Sequence, residues 1–301
     1  MKKIIILAIM CSAFVARAQQ ESQYTQNQFN SNLEINPAYA GANDDASLSL
    51  RCRKQWVGFD GSPTTIGFNG ESKVIKKRLA LGLTVISDWI GITQSTSADL
   101  SIASHVRLSE KGTLAAGIKV GVNFLNSDFS KLTNVDLTDP LYTSKEKLTI
   151  PYLGFGVLYY TRKLYLGFSI PRLVSIENVS PRTTITKPHF YLYGGYRIVL
   201  NEDIELRPAI LGKYVTAAPL EGDFAVDVWY RNLIGIGVSY RTSDAVNFMI
   251  KGRFGQFYIG YSYDMTVSGL RNFNSGSHEI YLGFEFGKKS TPDRNQNNRY
   301  F

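Results

Sequence analysis

The side chains best suited to acid–base work or metal ligation are three histidines, His105, His189 and His278, and they lie far apart in the chain. A zinc-hydrolase helix needs two histidines four residues apart with a glutamate between them. His278-Glu279-Ile280 starts such a run and does not continue it. Gly154-Phe155-Gly156 and Gly235-Ile236-Gly237 lack the third glycine of a nucleotide-binding turn, and no nucleophile elbow or phosphate-cradling loop is present. Cys11 and Cys52 are the only cysteines, so neither a disulfide framework nor a thiolate metal site is available. Asp44-Asp45, or Asp136 with Asp139, read either as calcium ligands in loops or as solvated turn residues. A serine and a histidine assembled in space at a lipid boundary are the one catalytic option left. These residue types point to a protein that is not an enzyme and carries no cofactor.

The elements that would position such side chains begin with an export signal. Lys2 and Lys3 precede the mostly apolar run Ile4 to Val15, and Ala16-Arg17-Ala18 is a small-x-small cleavage site. Residues 1–18 therefore read as a signal peptide, and the run is too short to span a bilayer. The formal charge of +8 is a modest excess spread along an exported chain, which argues for no nucleic-acid partner. Residues 19–45 are polar and irregular, and Pro37 and Gly41 break regular structure there. They form either a flexible periplasmic segment or one tucked inside the domain that follows.

From 46 to 287 the chain reads as about fourteen strands. Ile234, Ile236, Val238 and Tyr240 alternate with Gly235, Gly237, Ser239 and Arg241. Phe257, Ile259, Tyr261 and Tyr263 alternate with Tyr258, Gly260, Ser262 and Asp264. A period of two gives each strand an apolar face and a polar one. The polar faces carry Arg51, Arg53, Arg107, Lys119, Glu205, Arg207, Lys213, Asp227, Arg231, Lys251, Arg253 and Glu285. They suit a barrel lumen, or else the solvated face of a sandwich.

The connections favour the barrel. Ile75-Lys76-Lys77, Ser109-Glu110-Lys111, Asn201-Glu202 and Phe254-Gly255 are tight. The connections between them are mostly long: Trp56 to Ser62, Asp88 to Ser95, Asn126 to Thr149, Pro171 to Lys187, Thr216 to Glu221 and Met265 to Ser277. Thr242 to Asp244 is a short exception. Short turns on one rim and long loops on the other belong to an all-β outer-membrane barrel of antiparallel strands embedded in a lipid bilayer. Both termini then lie on the periplasmic side, and residues 288–301 form a short polar tail. No apolar run after the signal peptide is long enough for a membrane helix.

Three blocks of residues resemble the PorP/SprF family. They are Ile35-Asn36-Pro37-Ala38-Tyr39-Ala40-Gly41, then Gln55-Trp56-Val57-Gly58-Phe59-Asp60-Gly61-Ser62-Pro63-Thr64-Thr65, and the ending from Tyr263-Asp264 to Ser277-His278-Glu279-Ile280. The resemblance covers residues 23–286. It implies a cell-outer-membrane barrel of Bacteroidota that serves type IX secretion and gliding motility. It also implies export or anchoring of surface adhesins that carry a type B C-terminal sorting domain. Other type IX components, a peptidoglycan-binding lipoprotein among them, are the further partners it implies. Within this reading Trp56, Phe59 and Trp89 are either aromatic contacts for a partner or members of an interfacial aromatic belt. Asn36, Pro37, Tyr39 and Gly41 would form a plug-like motif. A channel for small or hydrophobic solutes is the alternative function.

Overall fold

In a computed structural model, described over residues 33–43, 46–75, 78–132, 145–175, 187–215 and 218–287, the strand pattern closes into one barrel. The expected signal peptide, the paired acids Asp44-Asp45 and Asp136 with Asp139, and the C-terminal tail lie outside the described residues.

The strands are β1 (Ser47–Lys54), β2 (Thr64–Ile75), β3 (Leu79–Ile90), β4 (Thr93–Arg107), β5 (Thr113–Asp128), β6 (Lys145–Tyr160), β7 (Leu164–Ser175) and β8 (His189–Tyr196). After β9 (Ile198–Val199) come β10 (Ile204–Val215), β11 (Glu221–Tyr230), β12 (Ile234–Arg241), β13 (Ala245–Phe254), β14 (Phe257–Thr266) and β15 (Ser277–Glu285). β8 and β9 both pair with β10 and are successive stretches of one strand interrupted at Arg197. The fifteen segments thus make fourteen antiparallel staves. The ring closes where β15 meets β1, in register from Ser47↔Glu285 to Lys54↔His278.

Burial decides between barrel and sandwich. In a soluble sandwich the apolar faces would be covered and the charged faces wet. Here Ile118 and Ile236 are 54% and 60% exposed on the outside, while Arg53 and Lys119 are 1% and 2% exposed within. Only a lipid surround makes that inversion favourable, because apolar surface then meets hydrocarbon and the charges pair in the interior. No helix among the described residues is long and apolar enough to cross a membrane.

Three sequence expectations are corrected. The span Asp88 to Ser95 is no long loop: β3 runs to Ile90, β4 starts at Thr93, and Gly91 at φ +56° makes the tight turn. Alternation continues through this span, with Asp88 turned inward to accept from Thr65 Oγ1 at 2.6 Å. Trp89 therefore sits on a strand. In the second case the loop Asn126 to Thr149 is shorter than expected, because β5 extends to Asp128 and β6 begins at Lys145. Third, Arg107 and Arg231 leave the lumen. Arg107 is exposed at the end of β4 and donates to the Glu110 carbonyl at 3.0 Å, and Arg231 lies in a turn beside Asp203 at 2.8 Å.

Candidate functional site

The lumen is not an open tube. Residues 33–43 lie inside it, against the inner wall of β1 to β7, and Asn36, Ala38 and Ala40 have no exposed surface. Local chemistry shapes this segment. Asn36 caps a single 3-10 turn, Pro37–Tyr39, accepting from the Ala38 N–H at 2.8 Å. Proline follows the cap at a position that needs no N–H donor. Gly41, at φ +71°, turns the chain back toward β1.

Several polar groups of the segment find partners on the wall. The Asn36 amide donates to the Val157 carbonyl at 2.9 Å. The Gly41 N–H donates to Glu71 Oε2 at 2.9 Å, and His105 Nε2 lies 2.8 Å from the Ala40 carbonyl. Lys119 Nζ reaches the Glu34 carbonyl at 3.1 Å and pairs with Asp99 at 3.2 Å. Glu34 lies 2.6 Å from Arg51 and accepts from Asn69 at 2.9 Å. Buried backbone groups entering a barrel must be satisfied in this way, or the segment would stay in water.

The wall makes room by omission. A Cβ on Gly117 would stand 2.5 Å from the Ala38 nitrogen, and one on Gly82 would stand 2.8 Å from Leu33. One on Gly156 would overlap the Asn36 side chain. These inward glycines are needed because the segment lies directly on the sheet, with its backbone against Gly117 and the side chains of Leu33 and Asn36 against Gly82 and Gly156.

The other side of the lumen is crossed by ion pairs near the loop-bearing rim. Lys213 and Arg241 both hold Asp223, at 3.1 and 2.9 Å. Arg53 holds Asp264 at 2.8 Å and approaches Glu279 at 3.6 Å, and Glu279 in turn is 3.9 Å from Arg51. The chain of charges therefore runs from β10 round to β1 and on to Glu34 of the inner segment. It cross-links wall and segment. Among the described residues no three metal-ligating side chains converge, and His189 and His278 stand apart from His105: His189 stacks on Tyr191, and His278 bonds Tyr261 at 2.7 Å.

At the loop rim, the β1–β2 loop is zipped to the β14–β15 loop. The Val57 N–H donates to the Gly276 carbonyl and the Ser275 N–H to the Val57 carbonyl, both at 2.8 Å. Trp56 is held there at φ +42°, with its N–H on Ser277 Oγ at 3.2 Å. Phe59 is exposed on the same loop, and Trp89 is exposed on β3, opposite Thr64 and Gln94. The three sequence blocks, far apart in the chain, meet along the closing staves. The first reaches them from inside, the second rises from β1, and the third forms β14 and β15. The pairing of Glu34 with Arg51 escaped sequence reasoning. Glu34 sits in an irregular stretch with no periodicity to orient it, and only the inward parity of Arg51 was readable.

Residues 16–284 match the family model described as type IX secretion system membrane protein PorP/SprF. No curated protein matches the sequence. Among solved structures, Omp33 of Acinetobacter baumannii shares 8% identity at a TM-score of 0.49, covering 80% of this chain and 98% of that one. A Pseudomonas aeruginosa FadL homologue shares 12% identity at a TM-score of 0.46, covering 85% of this chain and 94% of that one. CdiB from Acinetobacter baumannii shares 8% identity at a TM-score of 0.45 over 80% of this chain, which spans 60% of the length of CdiB.

Proposed function

From its family, since this chain belongs to the PorP/SprF type IX secretion system membrane proteins, we propose that it supports export or surface anchoring of a secreted partner, as a holder and not as a conduit. It is an outer-membrane β-barrel, and the question is what the barrel contributes. The observation that carries the reading is the occupied lumen. Residues 33–43 act as a plug in which Asn36, Pro37, Tyr39 and Gly41 set the backbone path. Glu34, tied to Arg51 at 2.6 Å, helps hold the segment in the path an unfolded polypeptide would need.

The partner is a surface protein with a C-terminal sorting domain, such as a type B adhesin used in gliding. It is met at the outer rim, where a rigid scaffold presents loops. Trp56 and Phe59 supply aromatic contacts there, and Trp89 adds one from the end of β3. Other type IX components complete the assembly, including a periplasmic lipoprotein that bridges to peptidoglycan.

Deleting the gene and quantifying surface and medium proteins by mass spectrometry tests this. Loss of one or a few proteins with sorting domains identifies a dedicated holder. Loss of the whole set makes the protein part of the core apparatus. An unchanged surface proteome refutes the secretion role and leaves a solute channel as the reading to pursue.

A further inference from the structure

The lipid-facing surface of the closing staves changes character at its upper edge. Outward residues on β1 are Leu48, Leu50 and Cys52, and then Lys54. On β15 they are Phe284, Leu282 and Ile280, and then His278. From Phe286 to His278 the chain rises about 27 Å along the strand, or about 20 Å of height once tilt is taken. That brings Lys54 and His278 to the outer boundary of an apolar band about 25 Å tall. The staves on either side, and the loops 55–63 and 267–276 above them, all belong to the described residues.

Lys54 faces His278 across one ladder and Thr64 across the other. Its Nζ donates to the Ser62 carbonyl and to Thr64 Oγ1, both at 3.0 Å. Those bonds use two of the three N–H groups of an ammonium. His278 Nδ1 lies 2.7 Å from the Tyr261 hydroxyl, which leaves Nε2 for another partner. The ring packs against Tyr261 and Tyr263, with centroids 6.1 and 5.2 Å away. Neither basic group has a carboxylate partner among the described residues. Cations inside the barrel differ: Arg53 holds Asp264 and Lys119 holds Asp99. Two basic groups set opposite each other repel when both are charged, and an anion between them removes that cost.

We infer that Lys54 and His278 form a binding site for the phosphate of an outer-leaflet lipid headgroup. Both donate charge-assisted bonds to phosphate oxygens at the height where headgroups lie. Directly beneath, Leu50, Ile66, Ile280 and Leu282 are exposed on the outer face and give acyl chains an apolar track. A free phosphate ion would gain nothing from that track. An acidic protein segment would have to enter the bilayer boundary to reach the pair. Tyr263 beside His278 and the exposed Trp89 beside Thr64 frame the headgroup from its two sides, as aromatic rings do at a membrane interface.

The test uses the purified full-length barrel in dodecyl maltoside micelles, titrated with diphosphoryl lipid A, with bound lipid counted by native mass spectrometry. Wild type retains one lipid A. Lys54→Gln, which keeps a donor for Ser62 and loses the charge, weakens binding by about tenfold or more, with the heat-modifiable gel band unchanged. Adding His278→Gln brings binding down to that of dephosphorylated lipid A, and Arg78→Gln at the periplasmic rim has no effect. Cys52 reports the location, because it is exposed one outward position below Lys54. Bound lipid A slows its alkylation by a maleimide, followed on the Cys52 peptide.

Four results overturn the inference. Equal binding of dephosphorylated lipid A means that apolar contact alone holds the lipid, and full binding to folded Lys54→Gln means that the charge is idle. Inorganic phosphate that binds as tightly as lipid A means that the site takes an ion and not a lipid. Unchanged Cys52 alkylation with lipid A bound places the lipid elsewhere on the barrel. None of these outcomes bears on the secretion role, which is tested by the surface proteome.

Discussion

Replacing Glu34 by alanine takes away the carboxylate that lies 2.6 Å from Arg51 and that accepts from Asn69 at 2.9 Å. Both members of the ion pair are almost wholly buried. Breaking such a pair from one side costs about 3–5 kcal/mol, because the charge left behind has no water to turn to. Glu279, 3.9 Å from Arg51 but already shared with Arg53, softens the loss and places the cost at the lower end, about 3 kcal/mol. That shifts the balance between seated and released segment by about 150-fold. The contacts of Asn36, Gly41 and Ala40 with the wall remain, so release is partial and intermittent. Single-channel recording in planar bilayers reads it directly: wild type stays near baseline, and Glu34→Ala shows frequent openings. Adding Arg51→Ala to Glu34→Ala restores quiet traces, since no stranded charge is left. Steady large conductance from wild type, or a folded Glu34→Ala barrel as silent as wild type, refutes the account of how the lumen is closed.

Gly117→Leu forces a side chain into the place of the Ala38 backbone, 2.5 Å from a Cβ at that position, at an overpacking cost of about 1–3 kcal/mol. It raises conductance and exposes the N-terminal segment to protease, with the heat-modifiable gel band unchanged. Arg53→Ala leaves Asp264 and Glu279 short of a counter-charge and lowers the temperature at which that band shifts, by the effect of about 3–5 kcal/mol expected for a buried pair. An unaltered transition shows that Arg241 alone suffices for Asp264. Ile118→Arg, on the lipid face of β5, lowers the stability measured by urea titration in lipid vesicles by about 2–4 kcal/mol near the midplane, and a neutral result would place that face in water.

Much of the wall was legible because alternation is local. The inward parity of Arg51, Arg53, Lys119 and Lys251 follows from the residues on either side, and all four are buried inside. The same rule failed at strand ends. Arg107 is the last residue of β4 and Arg231 the first beyond β11, so both keep the parity only at the rim, where hydrogen bonds to nearby turn groups claim them instead. Trp89 was misplaced for the opposite reason, since Asp88, Gly91, Thr93, Gln94 and Ser95 resemble a loop in composition, although β3 runs on to Ile90 and β4 begins at Thr93.

By itself the sequence determined that the chain forms strands, which face of each is apolar, and that most tight turns gather on one rim, all consequences of period two and turn chemistry acting over a few residues. Tertiary structure alone decided where the ring closes and what fills it. Those depend on pairings between distant residues, such as Arg53 with Asp264, 211 positions apart. They depend also on the fit of an irregular segment against inward glycines. No local pattern encodes which of many buried charges meets which, because the choice is made by the geometry of closure.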